Sequence, residues 1–80
     1  MLRLYAELIW KNYCGYGGTY YEYGGEAKNS DEAREICSKW YDEDYKENKD
    51  FRLFLFKDKD GNIVEEFYIG GDVNDNVDSN

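Results

Sequence analysis

Of the side chains that carry chemistry, this chain offers two thiols, eighteen carboxylates, nine phenols and no imidazole. Cys14 and Cys37 lack C-x-x-C spacing, and Cys14 has no histidine to activate it. They read as free thiols, Cys37 a small core residue and Cys14 in a loop, pairing only in an oxidising compartment. "DKDGNIVEE", starting at Asp58, matches part of an EF-hand loop if Gly61 is its glycine. The anchoring ligand positions then fall on Phe56 and Phe67, so turn chemistry is the better reading. Glu65 and Glu66 point to opposite faces of a strand and make no acid–base pair. The glycines of "GYGG" do not open a helix, and Glu22 and Glu26 nearby would repel phosphate. These residues specify no reaction, and the expectation is a non-enzymatic protein without metal or cofactor.

Two stretches point to binding instead. Tyr13 to Gly25, "YCGYGGTYYEYGG", holds five tyrosines and five glycines. Tyrosine gives a large contact area at low rotamer cost and a hydroxyl to bond with, and glycine lets a loop conform; binding loops use that mixture. Tyr16 and Tyr20, with part of the remainder, are expected to be exposed for contact. Alternate tyrosines on a short strand would otherwise pack under a helix, with Tyr21 and Tyr23 on one face and Tyr20 and Glu22 on the other. The second stretch, "WYDEDYKENKD", places Asp42, Glu43, Asp44 and Glu47 in or beyond the last turn of a helix, with Asp50 following. The helix dipole is negative there, and each acid costs a few tenths to about 1 kcal/mol. Lys39 and Lys46 stand where they could pair with Asp42. An arrangement against helix stability is expected where a surface serves function.

These stretches are positioned by a simple order of elements. Leu2, Leu4, Ala6, Leu8 and Trp10 alternate with Arg3, Tyr5, Glu7, Ile9 and Lys11, the pattern of a half-buried strand. "TYYEY" reads as a second strand closed by Gly24-Gly25. "KNSDEAREICSKWYDEDYKEN" is a helix with Asn29 or Ser30 as N-cap, an apolar stripe of Ala33, Ile36, Cys37, Trp40 and Tyr41, and an end near Lys46–Asn48. "FRLFLFKDKDGNIVEEFYIGG" is a hairpin. Two turns compete: a two-residue turn pairs Leu55 with Glu66, and a bulged turn pairs Asp58 with Asn62. The bulged turn is preferred because it groups Phe51, Leu53 and Leu55 with Ile63, Phe67 and Ile69. Arg52, Phe54, Phe56, Val64, Glu66 and Tyr68 then share the other face. The expected fold is α+β, ββαββ: one antiparallel sheet with a helix on one face, in a single domain over residues 1–71. The polar tail, 72–80, is expected to fray.

Eighty residues make one domain with a small core. The net charge is −8, and residues 40–80 hold twelve acids against five bases. Nucleic acid is therefore not the expected ligand, because phosphate binding needs a basic face. No secretory signal is expected, because Met1–Trp10 has no long apolar run and carries Glu7, and no run nears the roughly 20 apolar residues of a membrane span.

Acidic, tyrosine-rich, lacking Pro and His, and of this length, the chain resembles small phage proteins that inhibit host defence nucleases, anti-CRISPR proteins among them. The resemblance lies in overall profile and implies a cytoplasmic DNA mimic in a bacterial host. Its carboxylates Asp42, Glu43, Asp44, Glu47 and Asp50 would stand where phosphates stand, and Tyr41 and Tyr45 would accept a partner's arginine as a base would. The partner would be a basic nucleic-acid-binding protein such as a nuclease effector. Two alternatives remain open: an immunity protein or antitoxin, and an assembly or dimerisation module, such as a homodimer, using an aromatic sheet face.

Overall fold

The computed structural model describes residues 1–15 and 17–69, so the expectations for Tyr16 and for the 72–80 tail lie outside the described residues. The chain runs β1 (Leu2–Lys11), β2 (Gly17–Ala27), α1 (Ser30–Trp40), a π-helical turn (Tyr41–Tyr45), β3 (Phe51–Lys57) and β4 (Ile63–Phe67). The strands form one antiparallel sheet in the order β2-β1-β3-β4, and the helix packs on one face, giving the expected α+β architecture.

The alternation of β1 sets the core. Leu4, Ala6 and Leu8 point under the helix and are at most 1% exposed. They meet Ala33 and Cys37 of α1, Ala27 of β2, and Phe54 and Phe56 of β3. Full burial of a Leu or Phe side chain contributes about 1.5–3 kcal/mol. Asn29 caps α1, its Oδ1 accepting from the Glu32 N–H at 2.9 Å. The Glu32 carboxylate accepts in return from the Lys28 N–H at 2.6 Å, one residue earlier than in the usual reciprocal box.

β2 does not close at Gly24-Gly25 but runs on to Ala27. The register shifts there: Leu4 pairs with Gly25 and Tyr5 with Tyr23, leaving Gly24 as the extra residue of a bulge. Gly25 has φ +112°, a left-handed value that glycine adopts freely. A Cβ on Gly24 would run into the six-membered ring of Trp40, and one on Gly18 would lie 2.9 Å from Trp10 Nε1. Glycines read as loop lubricant are seats for two indole rings on a strand.

The second hairpin also differs in its faces. Its turn is the bulged one: the Asp58 N–H donates to the Asn62 carbonyl at 2.9 Å, and Gly61 has φ +88°. Asp58 Oδ1 accepts from the Asp60 and Asn62 N–H groups, which holds its pKa below the usual carboxylate value. A second bulge at Val64 then restores the pairing of Leu55 with Glu66 and Phe56 with Glu65. A third at Arg52 lies between the pairs Leu8–Phe51 and Glu7–Leu53. In consequence Phe51, Phe54, Phe56 and Phe67 lie on the helix side, and Leu53 and Leu55 on the other. The expected grouping of Phe51, Leu53 and Leu55 on one face is overturned because the extra residues reverse the pleat.

Gly24→Ala should lower stability by about 2 kcal/mol through overpacking against Trp40, a loss of roughly 10 °C in Tm by thermal unfolding. An unchanged Tm would mean that Trp40 does not use this seat. The thiols are both free, Cys14 exposed and Cys37 buried. Burial pushes the Cys37 thiol up from 9.0 to about 12. A group raised on folding stabilises fully below its unfolded pKa and loses that contribution as pH rises toward the folded value. Stability should therefore fall from about pH 9 toward 12, less steeply in Cys37→Ala, and one thiol per chain should react with a thiol reagent before unfolding. Prompt reaction of both thiols, or equal alkaline slopes, would contradict this.

Candidate acidic interaction surface

A regular helix continuing from Ala33 through Cys37 and Trp40 would bring residue 44 to the core face next. That residue is Asp44, and burying its carboxylate without a partner is prohibitive. The chain instead widens into the π-helical turn Tyr41–Tyr45. In an α-helix, residues five apart point about 140° from one another; a π-turn, bonded i to i+5, brings them back toward one side. Tyr45 thus takes the inward place, and Asp42, Glu43 and Asp44 turn to solvent. The change begins where the Tyr41 N–H divides between the carbonyls of Cys37 and Ser38.

Tyr45 is 4% exposed. Its ring stacks on Phe51 at 5.2 Å and meets Trp40 edge-on at 5.3 Å, with Phe54 beyond at 6.1 Å. Its hydroxyl donates to Glu22 Oε1 on β2. Burial first, then the bond and charge of Glu22, raise the Tyr45 pKa, so the phenol stays protonated. Tyr41 is half-buried, its ring edge-on to Phe51 at 5.4 Å and its hydroxyl 3.4 Å from the Lys46 carbonyl. Tyr45 therefore anchors the acidic turn from inside, and the expectation that it would stack on a partner's arginine is corrected by its burial.

Asp42, Glu43, Asp44 and Glu47 are all exposed and line one shallow surface hollow with Lys46 and Asn48. The expected relief from Lys39 and Lys46 is not formed. Among the described residues the ion pairs are Arg34–Asp31, Arg34–Glu65 and Arg52–Glu7. Asp50 stands apart from the other four: it lines a separate hollow with Lys11, Lys49 and Arg52, and its carbonyl accepts from the Ile9 N–H at 2.8 Å. It belongs to a mixed-charge corner, and the array has four members.

Next to the array lies a groove that sequence reasoning missed. Tyr23, Gly24, Gly25, Ile36, Lys39, Trp40 and Glu43 line it, so Glu43 borders both depressions. Its signal was the pairing of an unusual Gly-Gly with a tryptophan five residues before the turn's anchor. Tyr20 points to the helix side and is 39% exposed; Tyr21 and Tyr23 point to the other face and are more exposed. Tyr13, at the tip of the β1–β2 hairpin, is fully exposed. Among the described residues no cluster of three or more Cys, Asp or Glu side chains is placed to hold a metal ion, and no helix is long and apolar enough to cross a membrane.

Comparison with models of known protein families, with characterised proteins and with solved structures finds no match to this chain.

Replacing Asp42, Glu43 and Asp44 by Asn, Gln and Asn removes negative charge from the negative end of a helix. The triple variant should be more stable by about 1 kcal/mol, a rise of several degrees in Tm at low salt that shrinks as salt is added. A lower Tm would mean that the carboxylates shape the turn.

Proposed function

We propose that this chain is a non-enzymatic inhibitor whose acidic turn imitates nucleic acid and blocks the basic nucleic-acid-binding surface of a nuclease or defence effector. The observation that carries the reading is the array Asp42, Glu43, Asp44 and Glu47. All four are exposed around one hollow, without an ion pair to any lysine or arginine among the described residues, on a turn anchored through Tyr45. Unpaired carboxylates keep their hydrogen-bonding capacity for an incoming arginine or lysine, and charge-assisted bonds of this kind are about twice as strong as neutral ones. A fixed turn also lowers the ordering cost of association. The excess of acids over bases in residues 40–80 adds long-range attraction that speeds encounter with a cationic surface. The groove at Trp40, bordered by Lys39 and Glu43, extends the contact beyond the acids. Two free thiols, one of them exposed, fit a reducing compartment, in keeping with action in the bacterial cytoplasm.

The test is a pull-down from bacterial lysate on the immobilised protein at about 50 and about 300 mM salt, repeated with the triple amide variant and with short duplex DNA as competitor. The expected result is retention of a basic nucleic-acid-binding protein at low salt, its loss at high salt and with the variant, and its displacement by DNA. Retention that neither the variant nor DNA weakens would overturn the proposal.

A further inference from the structure

An antiparallel sheet covered on one side ordinarily alternates apolar and polar residues along each strand. β3 does not. Phe54 and Phe56 go under the helix, yet Leu53 and Leu55, on the opposite face, are only 3% exposed. The register surrounds them with Tyr5 of β1, Tyr21 and Tyr23 of β2, and Ile63 of β4. Tyr68, whose hydroxyl reaches Glu66 at 3.5 Å, continues this face. Tyr21, Tyr23, Ile63 and Tyr68 are each between 51% and 57% exposed. Their rings are already arranged: Tyr5 and Tyr23 lie 5.5 Å apart, and Lys57 Nζ sits 5.0 Å from the Tyr5 ring and 5.9 Å from that of Tyr21. Scattered exposed apolar residues are ordinary, whereas a contiguous patch around a buried aliphatic centre marks an interface.

The charges on this face identify its occupant. Arg3, Arg52 and Lys57 stand with Glu7, Glu26 and Glu66; Arg3 is directly opposite Glu26, and Arg52 pairs with Glu7 at 3.5 Å. Lys11 adds one positive charge at the far end. The face therefore contributes none of the excess acid of a chain with net charge −8. A strongly basic or acidic partner finds no complementary field here, while an identical balanced apolar face meets little repulsion. Four strands about 4.8 Å apart, of 10, 11, 7 and 5 residues at about 3.3 Å each, cover roughly 500 Å² in projection. With side-chain relief, two such faces reach about the 1,200 Å² at which specific interfaces begin.

We infer that this helix-free face packs against the same face of a second copy, forming a two-fold dimer of modest strength. The acidic turn lies on the helix side, so each copy keeps its array on the outside. The dimer stands or falls separately from the proposed inhibition.

Sedimentation velocity from about 1 to 500 μM tests it, a range wide enough to show association of modest strength. The weight-average mass should rise from one chain toward two, with little dependence on salt. Tyr21→Lys and Ile63→Lys, on opposite edges of the sheet, should each weaken association at least tenfold while the far-ultraviolet circular dichroism stays native. If one variant fails to fold, the other supplies the comparison. A single-chain mass across the whole range would overturn the inference. So would a dimer that the folded variants leave unchanged, or a monomer whose face binds a different protein.

Discussion

The burial of Tyr45 is the constraint on which the acidic surface depends. Four carboxylates at the negative end of a helix oppose one another and the dipole, at a few tenths to about 1 kcal/mol each. Burying one large aromatic side chain returns about 2–3 kcal/mol, with more from its ring contacts. The two quantities are of similar size, so the turn holds only while Tyr45 is seated among Trp40, Phe51 and Phe54. The π-turn makes both possible. One residue more than α-helical spacing moves Asp44 out and Tyr45 in.

The helix is tied to the sheet by polar contacts at opposite edges. Near its start, Arg34 grips Glu65 of β4 with two bonds, of 2.9 and 3.1 Å, which raise its pKa. At its far end, the Tyr45 hydroxyl reaches Glu22 of β2. Exposed ion pairs contribute little alone, but Glu65 is partly sheltered and the pairing is bidentate. Together the contacts set the direction in which the helix crosses the sheet, and so where the acids emerge. The seat at Gly24 completes this alignment by letting the Trp40 ring lie against the β2 backbone.

Much of this was legible in the residues, and what escaped has a common cause. The alternation of β1, the Asn29 cap, the stripe through Cys37 and Trp40, and the turn at Asp58–Gly61 are local patterns, and each appears in the fold. The bulges at Gly24, Arg52 and Val64 each add one residue to a ladder, and a single extra residue reverses every side chain beyond it. The local pattern "FRLFLF" is apolar at both parities and could not say which set lies inside. The array was visible as a run of acids, whereas the loss of Asp50 from it and the inward turn of Tyr45 were not. The charged residue at position 44 on an otherwise apolar stripe was the available sign that the helix must change its period.

That the acids form a fixed array, held by an internal tyrosine, is the central claim. Nitrogen-15 relaxation of residues 41–47 measures it most directly. Backbone order parameters near 0.85, equal to those of α1, are the predicted result. Values below about 0.6 across the turn would describe a mobile acidic loop and contradict the account.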